Sequence, residues 1–147
     1  MRWRDHAFAE LSVYELYAIV ELRERVFVVE QTCVYQDADG LDPISRHVWL
    51  EDRGGILAYA RLVPAGAKLA EVSIGRVIVA PQARGTGLGR ELMRRALDAV
   101  RAHHGSVAVA LGAQAHLEAF YGSLGFSRIS EIYDEDGIPH VDMLRPA

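Results

Sequence analysis

Apolar residues recur at helical intervals near the start of the chain: Val13, Leu16, Tyr17 and Val20 lead toward Phe27. Ser12 stands in front of them with Glu15 three residues on, the spacing of a capping box. A first helix with one buried face is predicted there, after a short strand over residues 2–7. The period then changes. HVWLEDR, the pair Gly54-Gly55 and ILAYARLVP have the form of a β-hairpin, and Ala70 to Ala80 reads as another strand, ending at Pro81. Leu88, Leu92, Ala96, Ala99 and Val100 mark a second helix from Gly87 to His103. In SVAVALG, Ser106 to Gly112, both alternating sets are apolar, as in a strand covered on both faces. A short helix over Ala115 to Ser123 is ended by Gly125, and the runs Phe126 to Tyr133 and Ile138 to Arg145 pair across the turn DEDG. The order β-α-β-β-β-α-β-α-β-β is an α/β mixture with a largely antiparallel sheet.

Composition narrows this picture. A chain of 147 residues is one domain in size, 1–147, and buries about 68–70% of its unfolded surface without a disulfide or metal staple. Residues are 50% hydrophobic and 24% charged, the balance of a soluble globular protein. No run approaches the ~18 apolar residues of a membrane span, and MRWRDHAFAEL lacks the apolar region of a signal peptide, so a cytoplasmic location is expected. Cys33 is the only cysteine, which excludes an internal disulfide and thiolate zinc sites with paired ligands. With 16 basic and 20 acidic residues the net charge is -4, offering no general attraction to nucleic acid or an anionic membrane. Any phosphate must be held by a few local donors.

One stretch is built for that. VIVAPQARGTGLGRELM runs from a strand through Gly85, Gly87 and Gly89 directly into a helix. A helix start leaves its first N–H groups unpaired and carries partial positive charge, and glycine lets an anion approach the backbone. The dinucleotide fingerprint has glycines at positions one, three and six, and here they fall at one, three and five. The phosphate loop of NTPases needs Lys-Ser/Thr after its last glycine, where this chain has Arg90-Glu91. Gln82-Ala83-Arg84-Gly85-Thr86-Gly87 instead resembles the Q/R-x-x-G-x-G/A motif of the GNAT superfamily of acyl-CoA-dependent N-acetyltransferases. Phe120-Tyr121-Gly122-Ser123-Leu124-Gly125-Phe126 matches that superfamily's second motif, FYxxLGF. VFVVEQTCVYQDADGLD and YDEDGIPHVDM resemble its ElaA-like branch, so that the resemblance covers nearly the whole chain.

The resemblance implies the GNAT fold, with a mixed, mostly antiparallel sheet splayed at the cofactor cleft and flanked by helices. It implies acetyl-CoA as cofactor. The strand residues Val77, Ile78 and Val79 would lie along the pantetheine arm, and Gln82, Arg84, Gly85, Thr86, Gly87, Leu88, Gly89 and Arg90 around the pyrophosphate. Family members often have an Asn contacting the cofactor arm; this chain has Gln114 and His116 there. The activity implied is N-acetylation of a primary amine of a small molecule or peptide by direct attack. A non-catalytic acyl-CoA-binding sensor is the alternative, and a hydrolase using Cys33 a third. Dimers are frequent in the superfamily, which leaves a homodimer open.

The chemistry sets two demands. An alkylamine is neutral in only about one molecule in 2,500 at pH 7, roughly 4.6 kcal/mol to be offset by a base, a water chain or desolvation. The departing thiolate needs a donor, and family position implicates Tyr121. For the amine side, Glu30, His47 and His140 are the titratable residues carried by the segments resembling the ElaA-like branch, and they are expected to converge at the open end of the cleft. His103 and His104 lie at a helix end, where a cation complements the dipole.

Overall fold

The computed structural model describes residues 1–147. Its elements are β1 (Arg2–Ala7), α1 (Val13–Arg23), β2 (Arg46–Asp52), β3 (Gly55–Val63), β4 (Val72–Val79), α2 (Leu88–His104), β5 (Val109–Gln114), α3 (Glu118–Gly122), β6 (Ser127–Arg128), β7 (Tyr133–Glu135) and β8 (Ile138–Arg145). The strands form a single sheet in the order β1-β2-β3-β4-β5-β8-β6, with β7 also on β8. Only the pair β4–β5 is parallel.

The capping box at the start of α1 is formed: the Glu15 amide donates to Ser12 Oγ at 3.0 Å, and the Ser12 amide donates to Glu15 Oε1 at 2.9 Å. The buried face of that helix is not the expected one. Val13 and Tyr17 are 76% and 72% exposed, whereas Ile19, Leu22 and Arg23 are buried. Apolar residues occur all round α1, so periodicity could not choose the face. The choice falls to packing on Trp49, Tyr59 and Ile78 of the sheet. Beyond Arg23 the chain continues as a π-helical segment, Glu24–Glu30, which widens the last turns.

Strand alternation assigns the rest. Val48, Leu50, Ala58, Ala60 and Leu62 face α2, whose Leu92, Met93, Ala96 and Val100 cover them, while Trp49 and Tyr59 face α1. In β4, Ile74 packs with the α2 side and Ile78 with the α1 side, although residues four apart in a strand share a face. The reversal is a β-bulge. Tyr59 pairs with Ile78 and Arg61 with Gly75, so β4 carries one residue more than β3, and Arg76 takes a left-handed φ of 51° there.

The strand expected over Ser106 to Gly112 is displaced to Val109–Gln114. Its extent is set by its partner β8, which it follows from Val109↔Arg145 to Gln114↔His140. The last hairpin turns at Asp136 and Gly137, both left-handed with φ of 53° and 82°, and this two-residue turn places Tyr133 opposite His140.

Candidate active site

β4 and β5 pair only at Val72↔Val109 and Ser73↔Ala110. Past that point β4 follows β3 and β5 follows β8, and the two strands part. The facing edges of Arg76–Val79 and Leu111–Gln114 are left without partners from each other. A cleft of about 1120 Å³ opens between them, lined by Val77, Ile78, Val79, Gln114 and His116 among others.

At one end of this cleft stands the glycine turn. Gly87 is the residue before α2, with φ 78°, and no side chain caps the helix. Gly85 has φ 79°, and a Cβ on either glycine would meet nothing within 4 Å. The turn is therefore an open cradle whose left-handed backbone suits glycine, at a helix start that no side chain caps. Thr86 Oγ1 donates to the Ala83 carbonyl at 2.7 Å and closes the turn, while Arg90 donates to Ser123 Oγ at 2.9 Å. Arg84 donates to Glu30 through both terminal nitrogens, at 2.9 and 2.7 Å, and through Nε to the Val79 carbonyl at 3.1 Å. Gln82 lies in the exposed 3-10 turn Pro81–Ala83 and Leu88 is half-buried against the core. An anionic pyrophosphate fits this end.

The β5–β8 wall of the cleft is polar. Tyr133 donates to Asp142 Oδ1 at 2.6 Å, and its ring stacks on His140 at 6.0 Å. Burial raises the Tyr133 pKa, and the bond to Asp142 raises it further, so the phenol keeps its proton. His140 Nδ1 lies 2.7 Å from the Ile138 carbonyl, which can only accept, so Nδ1 carries the hydrogen. Nε2 then faces Glu135 Oε2 at 3.3 Å. Gly112 makes room for this group: a Cβ there would stand 3.2 Å from the Tyr133 hydroxyl. Across the cleft mouth the Cys33 thiol donates to the Asp136 carbonyl at 3.3 Å, joining the loop after α1 to the last hairpin. Burial, then the charge of Asp136, raises the thiol pKa, which works against Cys33 as a nucleophile.

The loop of residues 32–43 is held by buried arginines. Arg23 and Arg61 are 1% and 0% exposed, so each must be paired. Arg23 bonds Asp37 and Asp42 at 2.8 and 2.6 Å, and Arg61 bonds Asp39 through two nitrogens at 2.8 Å and Asp42 at 3.0 Å. Arg76, at the bulge, meets Asp37 at 2.9 Å and Asp39 at 3.3 Å. Burial opposes ionisation of Asp39, yet the bonds from Arg61 hold its carboxyl well below the usual range.

Of the three residues expected on the amine side, the structure brings two to the cleft. Glu30 and His140 line it. Glu30 is engaged with Arg84, whose hydrogen bonds lower its pKa and keep it ionised. His47 does not join them. It is 1% exposed on the α1 side of β2, where Nε2 lies 3.1 Å from the Asp42 carbonyl and Nδ1 2.7 Å from the Tyr59 hydroxyl. Burial lowers its pKa, so the neutral ring donates from Nε2 and accepts at Nδ1, supporting the loop from beneath. Tyr121 is 6% exposed, packed edge-on between Phe120 and Phe126 at 5.1 and 6.1 Å, and it is Phe120 that lines the cleft. Burial pushes the Tyr121 phenol up to about 12. Tyr133, Glu135 and Asp142 were missed from the sequence. Their signal was alternation, since Ile138, His140 and Asp142 share a parity on β8 and Tyr133 faces His140 across the two-residue turn.

Comparison with known proteins agrees with this architecture. The family described as Acetyltransferase (GNAT) domain matches residues 16–145. Protein ElaA of Escherichia coli K12 is 47% identical over 149 aligned residues, covering 99% of this chain and 96% of its own. The crystal structure of an acyl-CoA N-acyltransferase from Pseudomonas aeruginosa is similar at TM-score 0.93 and 45% identity, with 99% of both chains covered. An aminoglycoside 6'-N-acetyltransferase complexed with coenzyme A shares the fold alone, at TM-score 0.74 and 14% identity over 99% of this chain and 97% of that one.

Proposed function

Because the chain belongs to the GNAT family of acetyltransferases, we propose that it moves an acetyl group from acetyl-CoA to a primary amine of a small molecule or peptide, by direct attack in a ternary complex. One observation carries this reading: the gap between β4 and β5 has an uncapped glycine turn where β4 runs into α2 and a histidine–carboxylate pair on its β5–β8 wall. Bound acetyl-CoA supplies the acyl group as an activated thioester. The backbone edge of Val77, Ile78 and Val79 would hold the pantetheine amides, with Gln114 and His116 on the facing wall. The N–H groups of Leu88, Gly89 and Arg90, reached over Gly85, Thr86 and Gly87, would hold the pyrophosphate, with Gln82 and Arg84 at its rim.

On the amine side His140 is the proposed base. Its Nδ1 hydrogen is committed to the Ile138 carbonyl, so Nε2 offers the lone pair, and a proton gained there is stabilised by Glu135. Tyr133, kept protonated, directs its own hydrogen to Asp142 and leaves its oxygen lone pairs to orient an N–H of the acceptor. At neutral pH Tyr121 holds its proton too, so the part proposed for it is a hydrogen bond to the departing sulfur rather than full acid catalysis, and that bond requires its hydroxyl to reach past Phe120, the ring that lines the cleft.

The test combines binding and turnover. Calorimetry with acetyl-CoA should show binding that Gly87→Glu abolishes by placing bulk and negative charge in the cradle. Thiol release with a panel of amines should follow, with the acid limb of kcat/KM erased in His140→Gln while CoA affinity stays unchanged. Binding without thiol release for any amine would make the protein an acyl-CoA sensor instead.

A further inference from the structure

Lys68 is the only lysine in the chain, among 16 basic residues. It sits in the connection between β3 and β4, where the Gly66 amide donates to the Leu69 carbonyl at 2.8 Å and closes a turn around it. It is exposed at the rim of the cleft and lines it together with Leu69. Four cationic side chains other than histidine line that cleft: Arg61, Lys68, Arg76 and Arg84. The three arginines are each tied to a carboxylate, Arg61 to Asp39 and Asp42, Arg76 to Asp37 and Asp39, and Arg84 to Glu30. Lys68 makes no ion pair and no side-chain hydrogen bond.

We propose that Lys68 is a carboxylate-binding subsite for the acceptor, and that the acceptor is a small primary amine bearing one carboxylate. This rests on the acyltransferase reading above and names its substrate class. Partial burial of the Lys68 ammonium lowers its pKa, as do Arg76 and Arg61, while Glu135 and Asp39 act the other way without pairing it. An anion beside it offsets both the burial and the arginines. Glu135 and Asp136 line the same cleft, and Glu135 lies 3.3 Å from the His140 Nε2 that is proposed to take the amine's proton. An amine with a carboxylate therefore matches the cleft in sign, its ammonium toward Glu135 and its carboxylate toward Lys68. A phosphate dianion does not, because the neighbouring arginines are already neutralised, leaving one charge, and Lys68 presents it as a point rather than a planar fork. A polyamine would set a second cation against Lys68, the one unpaired cation of the cleft other than histidine.

A single lysine makes the test direct. Selective 13C labelling of lysine yields one Cε resonance, that of Lys68, which can be followed in the CoA-bound protein. The probes are a series of ω-amino acids from glycine to δ-aminovalerate and the primary amide of each. At least one carboxylate should shift the resonance saturably while its amide does not. In turnover that member should exceed its amide by about tenfold in kcat/KM, a difference lost in Lys68→Met and largely kept in Lys68→Arg. CoA affinity and melting temperature should be the same in all three proteins, since the side chain is exposed and unpaired. Amides that turn over as well as their carboxylates, with Lys68→Met indistinguishable from wild type, would sink the subsite and leave the acyltransferase reading standing. A saturable, carboxylate-specific shift without thiol release would do the reverse. No shift with any member overturns the proposal outright.

Discussion

His47 illustrates how much one side chain's surroundings decide. Because burial depresses its pKa, the folded protein binds fewer protons than the unfolded chain once pH falls below about 6.5. The stability tied to neutral His47 is therefore complete above that pH and is lost as pH falls through the folded-state value. Urea unfolding across pH should show a shallower acid loss in His47→Gln than in wild type. Gly112 offers a second test at this scale. Its replacement by Ala puts a methyl group 3.2 Å from the Tyr133 hydroxyl, which must give way by a few tenths of an ångström and so disturbs the 2.6 Å bond to Asp142. We expect Gly112→Ala and Tyr133→Phe to raise KM for the amine in steady-state assays, with CoA affinity by calorimetry unmoved. Tyr121→Phe should instead lower kcat, by roughly 10²-fold if the phenol assists the leaving sulfur. An unchanged kcat would return Tyr121 to the core, where its packing between two phenylalanines already accounts for it.

At the scale of elements, the loop of residues 32–43 and the π-helical end of α1 behave as one unit because buried guanidinium groups join them. Arg23 comes from the helix, Arg61 from β3 and Arg76 from the bulge in β4, and all three converge on Asp37, Asp39 and Asp42. Removing one partner of such a buried set leaves uncompensated charge. Arg23→Met should cost about 3–5 kcal/mol, read as a lower urea midpoint. Conversely, the bulge that reverses the facing of β4 between Ile74 and Ile78 lies just beyond the last parallel pair, Ser73↔Ala110, where β4 and β5 part.

Over the whole molecule, one core joins α2 to the sheet on both sides of the cleft, which parts only the later residues of β4 and β5, and a ligand lying along it touches both strands. Acetyl-CoA at about 100 times its Kd should add about 2.7 kcal/mol of stability, roughly 5–10 °C in melting temperature for a chain of this size. Gly87→Glu should melt at the same temperature with and without it. Differential scanning calorimetry checks both.

The sequence by itself determined the element order as far as α3, the capping box at Ser12, the glycine turn at the start of α2 and the turn within DEDG. Each is a local property, written in backbone conformation and residue spacing over a few positions. The family resemblance followed from two such motifs. The single strand expected over Phe126 to Tyr133 is instead two, Ser127–Arg128 and Tyr133–Glu135, each paired separately with β8. Only the tertiary structure decided which face of α1 is buried, since its apolar residues surround the helix and the sheet beneath makes the choice. Only it showed that the acidic loop is neutralised by Arg23, Arg61 and Arg76, because those partners lie 14 to 39 residues away. His47 and His140 look alike along the chain, one in a strand that opens a hairpin and one in a strand that closes another. The fold buries the first against Tyr59 and turns the second into the cleft, because side-chain parity in a sheet is fixed by register with neighbouring strands.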